Sequence, residues 1–495
     1  MSHASDTPER HVFANGLSIS RLITGLWQLA DMERDGRKLD LDGAAAELEK
    51  YAQAGFDTFD MADHYGSAEI VAGRCLKRQV AGNQPPATLL TKWVPEPGPM
   101  TAEVVDAAVR ERLTRLGTRH IDLLQLHWWQ FENPGYLDAM SALDQLRRQG
   151  LIRNLGVTNF DTDHLTVLVA EGSPILTNQV CFSLLDRRAA GAMSEFCLQH
   201  GIHMLAFGTL AGGFLSDRWL GKPEPAEGEI TDWSKMKYKR FIDAAGGWEV
   251  FQNLLATLQV IAVRHGVTIA NVATRWVLDH PAVAAAVIGA RLGESEHRQS
   301  NLATFGFALD TEDRARLADA LSGLTPIPGD CGDEYRKPPF LTATGDLSHH
   351  LAAFPAVFNA TPVPGRPGRI RVDSGSQWEA IAGYSRSVRV GDRVLVSGTT
   401  ATHGAGRVIG RGNPAAQTVY ILDKISASLK AVGAELADVV RTRVYLRDVT
   451  NWEPVSRVHG RYFADVRPAN TLLAVGGLVG DYDVEIEAEA IVGMR

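Results

Sequence analysis

Asp60, Tyr65, Lys92 and His127 each lie at or just after the end of an apolar run. Residues 56–60 read as a short buried strand that ends on the carboxylate, and Tyr65 follows five residues later. Residues 87–92 end on an amine and residues 121–127 on an imidazole. Together these groups make a proton donor. A phenol titrates near ~10 and alone is a reluctant acid at neutral pH. An ammonium beside it lowers that value, and a carboxylate keeps the ammonium charged when both are buried. A histidine can share the hydrogen bond to a reacting oxygen and orient a carbonyl. Singly, the plainer readings are a cap or ion pair for Asp60, a packed loop residue for Tyr65 and a core histidine for His127. All four at three successive strand ends point to catalysis.

Those groups must be positioned by a repeating scaffold. Residues 11–20 read as a hairpin with Asn15-Gly16 as a type I′ turn, and residues 21–27 as a first barrel strand. Further strands are expected near 56–60, 87–92, 121–126, 152–157, 175–180, 203–207 and 285–289. Helices are expected at 42–54, 67–78, 101–116, 136–149, 161–171, 188–200, 248–265 and 311–322. Alternating strands and helices imply a parallel sheet with crossover helices, and eight of each a closed (β/α)8 TIM barrel. Active sites of such barrels lie at the C-terminal strand ends, which puts Asp60, Tyr65, Lys92, His127, Asn159, Gln179 and Phe207 on one rim. The stretch 214–247, carrying Trp219 and Trp233 with Trp248 just beyond, reads as a lid. Trp27, Trp93, Trp128 and Trp129, beside strand ends, read either as barrel packing or as an aromatic wall for apolar carbonyl substrates.

With 495 residues, two or three domains are expected. A net charge of −8 argues against a nucleic-acid or membrane-surface partner. The first ten residues lack the basic start and apolar run of a signal peptide, and Cys75, Cys181, Cys197 and Cys331 show no metal-ligand or redox spacing. A cytoplasmic protein without a bound metal is the expectation. No Gly-x-Gly-x-x-Gly follows a strand and no Walker loop is present, so a nucleotide would be held by other means.

In order and spacing, Asp60, Tyr65, Lys92 and His127 resemble the tetrad of the aldo-keto reductases. The likeness continues through residues 156–160, 177–180, 207–213 and 287–291 and covers roughly residues 10 to 325. It implies NADP(H) as cofactor and a small carbonyl compound as substrate. By that resemblance Gly25, Leu26, Trp27 and Asp60 face the cofactor, Thr158, Asn159 and Gln179 hold the nicotinamide amide, and Phe207 stacks on its ring. Gly208, Thr209, Leu210 and Gly212 surround the pyrophosphate, Arg291 meets the 2′-phosphate and Asn301 the adenine. Where the family shows Ser or Thr after that basic residue this chain has Leu292, and His297 or Arg298 stands in. Trp27, Trp93 and Trp128 would line the substrate pocket.

Order changes after the barrel, taken as residues 1–325. Residues 326–368 are rich in Pro and Gly and read as a linker or packing arm, with a short helix expected over 346–358. Residues 369–495 read as a smaller α+β domain with a hairpin at Gly391-Asp392, helices at 415–432 and 453–463, and strands at 439–446, 471–475 and 483–492. Residues 383–386, 396–399, 444–448, 467–469 and 484–488 resemble the Rid (YjgF) family, of chorismate-mutase-like fold, whose members are trimers with ligand clefts between subunits. Tyr384, Asn470 and Glu485 fall at its cleft positions. Asn470 stands where the deaminases of that family carry arginine, and a neutral amide cannot replace a charged, bidentate grip on a carboxylate. The sequence thus points to a carbonyl reductase with an oligomerisation or small-ligand module. Two alternatives are a slow-turnover NADP(H) sensor and a reductase coupled to imine or enamine processing.

Overall fold

The computed structural model describes residues 7–30, 39–226, 228–337 and 354–493. A hairpin of β1 (Arg10–Val12) and β2 (Ser18–Ser20) opens the chain. Its turn is not type I′, which needs positive φ at both central residues; only Gly16, at φ 86°, is positive, and its amide donates to Phe13 O. That is the longer loop closed by a glycine in the left-handed region. Phe13 and Ile19 pack with Ile23, Leu90, Leu123 and Leu205.

Eight parallel strands then close a barrel: β3 (Leu22–Gly25), β4 (Thr58–Asp60), β5 (Thr88–Trp93), β6 (Ile121–His127), β7 (Ile152–Thr158), β8 (Ile175–Cys181), β9 (His203–Phe207) and β10 (Val283–Gly289). β10 pairs with β3 and closes the ring. Around it lie α1 (Leu41–Gln53), α2 (Ala68–Ala81), α3 (Ala102–Leu116), α4 (Gly135–Arg148), α5 (Thr162–Ala170), α6 (Ala192–His200), α7 (Trp233–Ala244), α8 (Gly247–His265), α9 (Ile269–Leu278), α10 (Arg298–Leu302) and α11 (Thr311–Ser322). Local chemistry sets the ends. Thr101 caps α3 and Gly117, at φ 64°, closes it in the left-handed region. Helix α9 was not expected, although Thr268 and Asn271 form a reciprocal capping box at its start. Residues 233–244, expected as part of a lid loop, are also helical. Among the described residues no single helix is long and apolar enough to cross a membrane; α8 and α9 pass only as a pair bent by 92°, and both are packed in the barrel layer.

A second sheet has the order β11 (Ala360–Pro362), β12 (Arg369–Val372), β13 (Ser387–Val390), β14 (Arg393–Thr399), β19 (Val484–Ile491), β17 (Val439–Leu446), β18 (Ala469–Ala474). A small ribbon, β15 (Thr402–His403) with β16 (Arg407–Val408), stands apart from it. Helix α12 (Gln377–Ala382) precedes the hairpin, and α13 (Pro414–Ala431) and α14 (Trp452–Tyr462) cover one face of the sheet. The expected 326–368 stretch contributes to both bodies, since Ile327 and Tyr335 are buried against the barrel and residues 360–362 form an edge strand of the second sheet. Of the helix expected over 346–358, residues 346–353 lie outside the described residues and 354–358 are not helical.

Helix α13 packs on α5 of the barrel. At the centre of this contact His164 bridges Asp161 (Nδ1 to Oδ1, 2.7 Å) and Asp423 (Nε2 to Oδ2, 2.9 Å). Tyr462 Oη donates to the other Asp423 oxygen at 2.7 Å, and the Phe131 ring stacks on His164 at 3.5 Å. Burial alone would push the imidazole down; the two carboxylates outweigh it and hold its pKa at about 10. At the periphery Lys430 meets Glu132, His403 meets Asp138, and Arg461 meets Asp163.

Candidate active site

The strand ends converge on a cavity of about 730 Å³. Asp60 closes β4, Lys92 lies one residue before the end of β5, and His127 closes β6. Lys92 Nζ donates to Asp60 Oδ2 at 2.5 Å and to Met61 O at 3.2 Å, and lies 5.1 Å from the Tyr65 ring centroid. Asp60 Oδ1 accepts from Gln179 Nε2 at 2.8 Å and from Gln125 Nε2 at 3.3 Å. Both members of the ion pair are nearly inaccessible, so these donors are the main stabilisation of the carboxylate where it borders the cavity. Tyr65 and His127 line the same cavity, and Trp27 stands edge-on to Tyr65 at 4.9 Å.

The loop after β4 holds two residues the sequence reading passed over. His64 faces the cavity, stacks edge-on to Tyr65 at 4.7 Å, and pairs through Nδ1 with Asp63 at 3.0 Å. Burial works to raise the Asp63 carboxyl, but His64, Arg112 and the Val94 amide hold it below the usual carboxylate range. Asp63 thereby ties the Tyr65 loop to the end of β5.

The cofactor arm is also assembled. Gly25, Trp27, Thr158, Asn159, Gln179, Phe207, Gly208, Thr209, Leu210, Gly212, Arg291, His297 and Asn301 all line the cavity. Thr158 Oγ1 and Asn159 Oδ1 are buried there with no hydrogen-bond partner among the described residues. Two such oxygens at a cavity wall suit the N–H groups of a carboxamide. Gly208 and Gly212, both at positive φ, back onto Tyr238 so closely that a Cβ would lie 2.3 Å from its hydroxyl and 2.9 Å from its ring, so only glycine lets this loop take its course along the cavity. These features fit a nicotinamide dinucleotide. Gln179 lines the cavity, and its amide nitrogen also donates to Asp60. Arg291 Nη2 is already held by Asp232 at 2.8 Å. Of the two residues expected to replace a hydroxyl beside Arg291, His297 lines the cavity, whereas Arg298 is turned to Glu296 and lies over the Tyr51 ring. Ser295 and Ser300 supply hydroxyls that were not anticipated.

Three expected contacts are corrected. Leu26 is buried in the core, and neither Trp93 nor Trp128 lines the cavity. Trp128 packs against Tyr136 and Phe354 while its Nε1 donates to the carbonyls of Gln130 and Asn133. Its partners lie outward from the barrel, a direction that strand position alone leaves open. In their place the cavity has Lys237 and Tyr335.

In the second domain Asn470 and Glu485 do not meet within one chain, whereas Tyr384 and Glu485 both act on the charge of Arg386. Asn470 is paired with Thr442, which points to the helix-covered face, and its Oδ1 lies 3.4 Å from Thr442 Oγ1. Glu485 is paired with Tyr445 on the opposite, open face. Positions 442 and 445 differ by an odd number, so strand alternation separates them. Burial raises the Glu485 carboxyl, opposed by the charge of Arg386.

The profile described as the Aldo/keto reductase family matches residues 21–322, and that described as Endoribonuclease L-PSP matches residues 374–492. Flagellar radial spoke protein 5 of Chlamydomonas reinhardtii is 33% identical over 177 residues, 32% of this chain; the chain spans only 33% of that relative's length. An uncharacterized protein of Streptomyces coelicolor is 40% identical over 121 residues, 24% of this chain and 90% of the relative. The glycerol dehydrogenase of Gluconobacter oxydans has the same barrel fold, with a TM-score of 0.52 and 23% identity over 66% of this chain and 98% of its own. An aldo/keto reductase of Klebsiella pneumoniae in complex with NADP and acetate gives a TM-score of 0.48 and 22% identity over 65% of this chain and 98% of its own.

Proposed function

This chain belongs to the aldo/keto reductase family, and from that premise we propose that it reduces an aldehyde or ketone to an alcohol with NADPH, Tyr65 acting as general acid. The observation that carries this reading is the buried Asp60–Lys92 pair with its ammonium 5.1 Å from the Tyr65 ring, at the wall of one cavity. When bound, the dinucleotide supplies the hydride that adds to the carbonyl carbon. Tyr65 gives its proton to the carbonyl oxygen as negative charge develops there. Lys92 favours the phenolate left behind, and Asp60 holds Lys92 in place and charged. His127 orients the carbonyl. Thr158 and Asn159 are assigned to the carboxamide, Phe207 to the ring face, and Arg291 with Asn301 to the adenosine end. Trp27 forms the aromatic wall beside Tyr65.

The Rid-like domain is assigned to oligomerisation. The barrel lies against its helices, which leaves the other face of the sheet open with Leu395 and Leu473 well exposed among Glu485, Glu487 and Arg443. A homotrimer through this face is the expected assembly, and its mass in solution tests it. The catalytic reading is tested by NADPH oxidation with a panel of aldehydes, comparing wild type with Tyr65→Phe. Turnover that collapses in the variant while NADPH still binds supports it; no turnover in either protein refutes it.

A further inference from the structure

The loop between β4 and α2, residues 61–67, carries Tyr65 and is gripped from behind by two arginines of α3. Arg112 Nη2 donates to Asp63 Oδ2 at 2.5 Å, and Arg115 donates to the carbonyls of Asp63 and Gly66 at 3.1 and 2.5 Å. Arg115 also pairs with Glu69 at 3.0 Å, and Glu69 accepts from Thr91 Oγ1 at 2.6 Å. The Asp63 carboxylate is thus fixed on both oxygens. Oδ2 takes Arg112 and the Val94 amide, while Oδ1 meets His64 Nδ1 at 3.0 Å. A carboxylate only accepts, so Nδ1 carries a proton, and the negative charge favours a second proton on Nε2. The His64 ring stands edge-on to Tyr65 at 4.7 Å, on the cavity wall. Its side chain is 12% exposed and that of Asp63 11%, so little water screens a charge there.

We propose that His64, held by Asp63 and behind it by Arg112, is a positioning residue that sets an imidazolium beside Tyr65 and, with Lys92, favours the phenolate. The proposal rests on the reading of Tyr65 as general acid and adds a second cation to it. Among the described residues, Asp63 on the same loop favours the imidazolium, whereas Arg112 of α3 and Lys92 of β5 oppose it. Asp60 offsets Lys92, and Glu69 offsets Arg115. Asp60, Asp63 and Glu69 therefore stand against Lys92, Arg112 and Arg115, charge for charge. An imidazolium added to this enclosed set is balanced once Tyr65 has given up its proton, which is the state that proton donation leaves behind. In reduction the phenol O–H bond breaks and its proton goes to the carbonyl oxygen as hydride adds to carbon. His64 keeps its own proton, and solvent reprotonates the phenolate before the next turnover.

The test uses the full chain, with NADPH and an aldehyde in one direction and NADP with the matching alcohol in the other, each profiled against pH. Phenolate speeds oxidation and slows reduction, so both profiles turn at the Tyr65 midpoint. His64→Gln removes the charge and is expected to move that midpoint up by about one unit, and Asp63→Asn to move it the same way. NADPH Kd, measured alongside, reports that the barrel is intact. A midpoint that stays or falls in either variant overturns the proposal and leaves His64 as packing. Where a variant turns over too slowly to profile, Tyr65 is titrated directly as the tyrosinate absorbance that a further Tyr65→Phe substitution removes, with the same upward shift from wild type expected. If wild type neither reduces aldehydes nor oxidises alcohols, the reductase reading fails, and the direct titration still decides whether His64 acts on Tyr65.

Discussion

Two buried ionic clusters in this molecule are built from similar parts and behave differently because of what surrounds them. At the barrel rim Asp60 holds Lys92, and the ammonium opens toward Tyr65 and a cavity. At the domain contact Asp161 and Asp423 hold His164, with Phe131 stacked on the ring and Tyr462 on the outer carboxylate. The first cation has a face turned to a space where a reacting group can enter. The second is enclosed by protein and ties two domains together. A buried charge pair becomes chemistry when its field reaches a cavity, and cement when it does not.

Substitutions should separate the two roles. Tyr65→Phe removes the proton donor and is expected to lower kcat/KM about 10²–10⁴-fold, with little change in thermal stability. His164→Ala leaves Asp161 and Asp423 buried and facing each other without their cation, a loss on the order of 3–5 kcal/mol. Calorimetry should then resolve the barrel and the second domain as separate transitions. Lys92→Met is the sharper control. Asp60 keeps its donors Gln179 and Gln125 and borders the cavity, so stability should fall less than in His164→Ala while activity falls far more. The reverse order of these two variants would break the comparison.

A smaller effect comes from pH. His164 titrates at about 10 in the folded protein against an ordinary 6.5, so its contribution is complete below about pH 6.5 and is lost as pH rises through about 10. Tyr462, raised well above the usual phenol value by burial, stays neutral across that window. The domain contact should therefore loosen between pH 7 and 10, read as faster proteolytic cleavage between the domains, and His164→Ala should abolish that dependence. The smallest effect is at the cofactor arm. Asp232 holds one edge of Arg291 and opposes a phosphate there, so Asp232→Asn should tighten NADPH relative to NADH by roughly 1 kcal/mol or less, measured by competitive titration.

Much of this was legible in the chain because it depends on local spacing. Strand ends carry Asp60 and His127, and Lys92 sits one residue inside its strand; alternating strands and helices fix the barrel, and barrel geometry puts strand ends on one rim. The second sheet's β17 was placed to the residue, since its apolar alternation and flanking turns define it. What the chain left open was direction and distance. Helix α9 escaped although Gly266 closes α8 in the left-handed region and the Thr268–Asn271 capping box marks the next start. Trp93 and Trp128 lie beside the rim yet turn away from the cavity, and Tyr335, which does enter, comes from a stretch rich in Pro and Gly that has no period to read. The sequence by itself determined the catalytic residue types and the scaffold that brings them together, because both follow from short-range periodicity. Only the tertiary structure decided that Lys237 meets Tyr335 and His164 meets Asp423, 98 and 259 residues apart, since no local pattern encodes which distant surfaces pack.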